Sequence, residues 1–191
     1  MTGSLDHAYD AYQRIEERFT AALAESLDPR GPELLFELVS RPELPTGCVA
    51  VDVGCGEGEQ AIELAARFGF EVTGVDPVRR HTDMTTAAAA HSEGRRPAFT
   101  SGSAEQIPVP SASADLVWCR DVLVHVADLA VAYAEFRRIL RPGGRALVYQ
   151  IFATALLEPR EAAWLFGTMG VVPASANPAK LRPRSQRPDC G

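Results

Sequence analysis

A chain of 191 residues is the length of about one domain, and it buries roughly 70% of its unfolded surface without needing a disulfide or metal staple. Its 46% hydrophobic and 23% charged residues exclude wholesale disorder, and the absence of 18 consecutive uncharged apolar residues excludes a membrane-spanning helix. A net charge of −6, with basic excess only in the last twelve residues (KLRPRSQRPDCG, net +3), argues against a nucleic-acid partner. The N-terminal MTGSLDHAYDAYQRIEERF carries acids where a signal peptide needs positive charge, so a cytoplasmic location is expected. The cysteines at 48, 55, 119 and 190 form no C-x-x-C pair and have no His at zinc-finger spacing, which predicts reduced thiols and no metal site.

Element types alternate along the chain. Residues 6–27 place Tyr9, Tyr12, Ile15, Phe19 and Leu23 three or four apart, as on one face of a helix. Pro29, Gly31 and Pro32 break it, and a short helix over Glu33–Val39 follows. CVAVDV (48–53) is apolar on both alternating faces, as a strand covered on both sides requires. A helix over Glu59–Phe68, a strand EVTGV (71–75), an alanine-rich helix over 80–92 and strands AFTS (98–101) and ADLVWC (114–119) come next. Leu129, Ala132, Tyr133, Phe136 and Leu140 then mark a helix that RPGG should end, before a fifth strand RALVYQIF (145–152). Such alternation predicts parallel strands joined by right-handed crossovers, a doubly wound α/β sheet. Beyond it, Glu158–Gly167 reads as a helix, and from Val171 onward recurring prolines read as an extended or disordered tail. The expected organisation is a helical N-terminal segment over 1–45, which the family resemblance described below makes a lid, the α/β domain over 46–170 and a Pro-rich basic tail over 171–191.

Ligands of open α/β sheets sit at the carboxyl ends of the strands. The first strand ends in V-D-V-G-C-G-E-G-E, where Gly54 permits a sharp turn and Gly56 permits close backbone approach. A dinucleotide fingerprint would place a small residue where Glu59 stands, and acids at 57 and 59 would repel a pyrophosphate at the helix start. A phosphate-free cofactor suits the pattern better than a nicotinamide dinucleotide. Asp76 lies 22 residues after Gly54 at the tip of the second strand, where a carboxylate can accept both hydroxyls of a ribose. Capping the next helix is its plainer use, and bonding nearby backbone amides is the plainer use of Asp52.

Four segments in order, VDVGCGEG (51–58), VTGVDP (72–77), SGSAEQIPVPSASADLV (101–117) and RRILRPGGRALV (137–148), resemble the class I S-adenosylmethionine-dependent methyltransferases, above all the small-molecule and quinone methyltransferases. The resemblance spans about Val49 to Phe152 and implies a Rossmann-like, mostly parallel sheet and a small organic acceptor. It further implies that Asp52 and the Gly54–Cys55–Gly56 backbone hold the methionine end of S-adenosylmethionine, that Asp76 binds the ribose and that Pro77 flanks the adenine. Where the family often has Gly-Asp-Ala, this chain has Gly102-Ser103-Ala104, so Ser103 would meet the adenine amino group with an uncharged acceptor, with Glu105 compensating. The backbone near Cys119 and Arg120 would close over the methionine portion. Methyl transfer needs alignment of nucleophile and methyl group, and a base only if the acceptor carries a proton at pH 7. His125 is the candidate base, with a structural role as its plainer alternative. Asp128 is expected to cap the helix that starts at Leu129.

The segment after the fifth strand departs from the family, since no strand pair completing a seven-stranded sheet is readable in it. The fifth strand then becomes an edge that invites pairing with another chain, so a homodimer through that edge is expected. A cofactor-binding module without activity and an NAD-dependent oxidoreductase are the rival readings.

Overall fold

A computed structural model describes residues 32–41, 44–45, 47–78, 95–153 and 156–180. The expected helices over 6–27, with Tyr9 and Tyr12, and over 80–92 lie outside the described residues, as do Cys190 and the arginines of the last eleven residues. In chain order the elements are α1 (Pro32–Ser40), β1 (Val49–Val53), α2 (Glu59–Phe68), β2 (Glu71–Asp76), β3 (Ala98–Ser101) and β4 (Ala114–Arg120). A 3₁₀ turn (Leu123–His125), α3 (Leu129–Ile139), β5 (Leu140–Tyr149), α4 (Pro159–Met169) and a second 3₁₀ turn (Pro178–Lys180) follow.

The five strands form one sheet in the order β3-β2-β1-β4-β5, and every pairing is parallel. Strand order therefore reverses between β1 and β4, which puts the ligand crevice of a doubly wound sheet at the carboxyl ends of those two strands. Alternation of side chains along each strand divides the core in two. Val51 and Val53 of β1 with Val117 and Cys119 of β4 pack against Phe136 and Ile139 of α3. Ala50, Leu116 and Trp118 point the other way, onto Phe36 of α1 and Leu64 of α2. Trp118 is fully buried, stacks on Phe36 with ring centroids 5.0 Å apart, and donates its indole N–H to Gln60 Oε1 at 2.7 Å.

Two expectations need correction. RPGG does not separate helix from strand: β5 begins at Leu140 directly after α3, and the glycines form an irregularity inside it, with Gly143 at φ +84° and the register against β4 shifting between Ala114 and Leu116. The strand also stops at Tyr149 rather than at Phe152. The stretch from Val171 is not an extended tail at its start. Val172 N–H donates to Val124 O at 2.8 Å, the buried Ser175 hydroxyl donates to Val126 O at 2.7 Å, and Ala153 N–H donates to Ala176 O at 3.0 Å. Local proline content hid these bonds because each partner is remote in sequence. Among the described residues, no further strand joins β5.

Candidate functional site

The turn between β1 and α2 is built so that its own amides face β2. Gly54 and Cys55 N–H both donate to Val75 O, at 2.7 and 3.1 Å, while Gly56 N–H donates to Asp76 Oδ2 at 2.9 Å. Gly54 (φ +75°) and Gly56 (φ +50°) lie in the left-handed region, where side chains are strained. Their surroundings differ. A Cβ on Gly54 would overlap the Val122 side chain, whereas a Cβ on Gly56 would meet nothing within 4 Å. Gly54 thus serves packing, and Gly56 borders open space that a ligand can enter.

Asp76 is 1% exposed, and its second oxygen accepts Val78 N–H at 2.8 Å. Asp76 thus bonds local backbone on both oxygens, and the next helix, whose capping is its plainer use, lies outside the described residues. Pro77 beside it is exposed. Gly102 N–H donates to Asp76 O at 3.1 Å, which brings the next turn alongside. That turn is closed by reciprocal bonds between Ser103 and Gln106, with Ala104 buried beneath it. Glu105 Oε1 accepts Asp128 N–H at 2.9 Å, a bond to the start of α3 that gives it a role in the fold.

Asp52 is the chemically exposed member in another sense. It is 2% solvent-exposed, and its Oδ2 has no hydrogen-bond partner among the described residues. Burial and then the Asp76 charge push its carboxyl up to about 7, with the Arg120 guanidinium opposing them. Cys55 and Cys119 are buried and held as thiols by desolvation, so only their backbone is available to a ligand. Arg120 Nε lies 3.4 Å from Asp121 Oδ2, and Asp121 holds a left-handed φ of +57° at the tip of β4. His125 turns toward the C-terminal segment: its Nδ1 is 3.2 Å from Gly170 O. A carbonyl can only accept, so Nδ1 carries the proton. Burial lowers the imidazole's pKa against the opposing pull of that bond. Asp128 caps α3 as expected, accepting from Ala130 and Val131 N–H at 2.9 and 3.3 Å.

The turn residues from 52 to 56, Asp76 and Pro77, and the 103–105 turn are thus brought to one edge by direct bonds. Arg120 joins them through its charge on Asp52, and His125 is held by a different segment. Sequence reading missed Gln150. Its Nε2 donates to Ser175 O at 2.7 Å, while its Oε1 is buried without a partner among the described residues. The signal was a polar residue interrupting ALVYQIF at the strand's carboxyl end.

Residues 51–148 match the family described as "Methyltransferase domain". The chain belongs to that family. It is 30% identical over 138 residues to methyltransferase GfsG of Streptomyces halstedii, covering 70% of this chain and 49% of the relative. It is 31% identical over 121 residues to the 27-O-demethylrifamycin SV methyltransferase of Amycolatopsis mediterranei, covering 63% of this chain and 44% of the relative. Among solved structures, phosphoethanolamine N-methyltransferase 2 of Haemonchus contortus superposes with a TM-score of 0.66 at 22% identity, over 75% of this chain and 34% of that one, a likeness of fold. The chain spans about half the length of the curated relatives it matches. No helix among the described residues is long and apolar enough to cross a membrane.

Proposed function

We propose that the protein is an S-adenosylmethionine-dependent methyltransferase of the cytoplasm that acts on a small organic acceptor. The observations that carry this reading are the buried Asp52 Oδ2, without a partner among the described residues, and the open space at Gly56 in the turn that follows β1. An acceptor of this kind suits an ammonium group, and Asp52 gains its missing partner when one binds. Asp76 takes the ribose hydroxyls, Pro77 flanks the adenine, and the 103–105 turn borders the ring. When bound, S-adenosylmethionine supplies a methyl group on a positively charged sulfur and remains as S-adenosylhomocysteine.

The protein's own work is alignment and exclusion of water. The β4 tip around Arg120 and the turn that follows hold the acceptor against the methyl group, within roughly 3–3.5 Å along the line of displacement. A phenol or alcohol must also lose a proton, and His125, on the turn after β4, is the candidate to take it. The names of the curated relatives, small-molecule methyltransferases among them, agree with a small acceptor. The open edge of β5 adds self-association to the proposal.

Thermal denaturation with S-adenosylhomocysteine, with NADH, and of an Asp76→Ala variant tests the reading. At 100 times Kd a ligand adds ~2.7 kcal/mol, a rise on the order of 5–10 °C for this size. A shift with S-adenosylhomocysteine, absent with NADH and lost in the variant, is expected. Folded wild-type protein indifferent to S-adenosylhomocysteine would overturn the cofactor assignment. A cofactor shift with no methylated product across an acceptor panel would instead identify a binding module.

A further inference from the structure

The segment RRILRPGG carries arginines that the cofactor site does not use. Arg137 is exposed, and Arg141 bonds Asp115 Oδ2 at 2.7 Å. Arg138 instead reaches from α3 to the loop between β3 and β4. Its Nε and Nη2 donate to Glu135 Oε1 and Oε2 at 2.6 and 2.8 Å. Nη2 also donates to Ile107 O at 2.8 Å, and Nη1 donates to Val109 O at 2.8 Å and to Ser111 Oγ at 3.4 Å. Every N–H of the guanidinium thus has an acceptor. Glu135 Oε2 in turn accepts Ile107 N–H at 2.9 Å. Both backbone groups of Ile107 are therefore tied to one ion pair, which an ion pair serving only its own helix would not need. The loop also ends on α3, where Ala112 and Ser113 N–H donate to Arg138 and Ile139 O at 2.9 and 2.8 Å.

This clamp is linked to the cofactor edge by direct contact. Pro108, between the two tethered residues, packs on Gly102, where a Cβ would lie 2.5 Å from Pro108 Cδ. Gly102 N–H is bonded to Asp76 O, and the turn closed by Ser103 and Gln106 begins at the next residue. That turn's reciprocal bonds leave the N–H groups of Ala104 and Glu105 outside the ladder. A serine hydroxyl rotates and can donate or accept, so Ser103 alone does not tell an amino group from a carbonyl. A main-chain N–H only donates. It suits the accepting ring nitrogen of adenine and opposes the N–H that a 6-oxopurine carries there.

We propose that Glu135 and Arg138 are positioning residues that set the purine specificity of the cofactor site: they fix the main chain of 107–109, and through it the 103–105 turn, where adenine is accepted and a 6-oxopurine rejected. The proposal rests on the reading of this edge as the S-adenosylmethionine site. Lysine cannot replace Arg138 in this role, because a compact ammonium lacks the planar fork that spans a carboxylate and two carbonyls.

Calorimetric titration of the full chain with S-adenosylhomocysteine and with S-inosylhomocysteine, its 6-oxo counterpart, tests the proposal. The proteins are the wild type, Arg138→Lys, Glu135→Ala and the control Arg137→Ala, each checked for folding by circular dichroism. The wild type and the control should bind S-adenosylhomocysteine at least about tenfold more tightly than the 6-oxo ligand. In both clamp variants the ratio should fall to about twofold or less, through weaker binding of S-adenosylhomocysteine alone. General loosening of the fold would weaken both ligands together and leave the ratio unchanged. The wild type also reports without substitution: S-adenosylhomocysteine should slow exchange of the Ile107 amide, and the 6-oxo ligand should not. Equal wild-type affinity for the two ligands, a ratio that survives both clamp substitutions, or an Ile107 amide indifferent to S-adenosylhomocysteine would overturn the proposal and leave the cofactor assignment standing. Binding of neither ligand would overturn the cofactor assignment and this inference with it.

Discussion

β1 and the ALVY end of β5 are both apolar strand segments in one parallel sheet, yet they reach opposite states. β1 lies between β2 and β4, and four of its five residues are buried. Among the described residues β5 has β4 on one side only, and none of its ten residues is buried. Composition alone does not separate Val-Ala-Val from Ala-Leu-Val. Position in the strand order does, because a central strand receives helices on both faces and neighbours on both edges. The residues proposed to hold the cofactor lie in the half of the sheet around β1, and a rigid frame is what a preorganised site needs.

The sharpest way to break this contrast is to remove one side chain from each half. Trp118→Ala takes away a fully buried ring, its stacking on Phe36 and its bond to Gln60, and should cost about 3–5 kcal/mol. Val148→Ala, on half-buried β5, should cost below about 1 kcal/mol. Urea unfolding at low protein concentration measures both. Equal losses would mean that β5 is as firmly packed as the centre.

The glycine turn allows the same contrast within three residues. Gly54→Ala meets both a left-handed φ and the Val122 side chain, and should lower stability by at least about 2 kcal/mol. Gly56→Ala carries the φ strain without the overlap, at about 1 kcal/mol, but its methyl group fills the open face beside Asp52. Its melting temperature should fall little while affinity for S-adenosylhomocysteine falls at least tenfold by calorimetry. A Gly56→Ala protein that binds normally would separate this turn from the cofactor.

Asp52 sharpens the comparison with a change of opposite sign. Its carboxyl stands at about 7 in the folded chain against 3.8 unfolded, so the unfolded chain ionises first as pH rises. Stability contributed by the protonated group is therefore present below pH 4, is lost between about 4 and 7, and stays lost above. Asp52→Asn removes that loss and should raise unligated stability at pH 8 by on the order of 1–2 kcal/mol while abolishing cofactor binding. In the wild type, affinity for S-adenosylhomocysteine should fall close to tenfold per pH unit below 7, because a cationic amine prefers the ionised form. A flat profile from pH 5 to 8 would show that Asp52 stays charged without ligand.

The sheet was legible because its residues speak locally: β3 and α2 coincide with the expected segments 98–101 and 59–68, and Asp128 caps α3 as its place before Leu129 implies. Asp76 was legible by its spacing from Gly54, and the structure bonds it to the Gly56 amide. What escaped depends on pairing across long separations. The register shift that draws RPGG into β5 arises against β4, some 26 residues earlier, as the bond between Arg141 and Asp115 marks. Ser175 and Gln150 gained their roles from Val126 and from each other, and nothing near Pro173 or Pro178 announces such contacts. His125 looked like a base from its residue type. Its bond to Gly170, 45 residues away, is a tertiary fact.

The two late helices give the smallest and most local test. α3 buries Ala132, Phe136 and Ile139, and Asp128 satisfies two of its first amides; α4 buries none and begins with a reciprocal box between Glu158 and Glu161. Asp128→Ala should cost about 1 kcal/mol of global stability, because α3 unfolds only with the core it covers. Glu158→Ala removes a comparable cap from α4. It should leave the global midpoint within about 0.5 kcal/mol, since α4 can fray while the sheet stays intact. Hydrogen exchange distinguishes the two: protection should fall across 159–169 in the second variant and nowhere in the sheet. If Glu158→Ala lowers the global midpoint as much as Asp128→Ala does, α4 is coupled to the core, and the open character assigned to the β5 side is wrong.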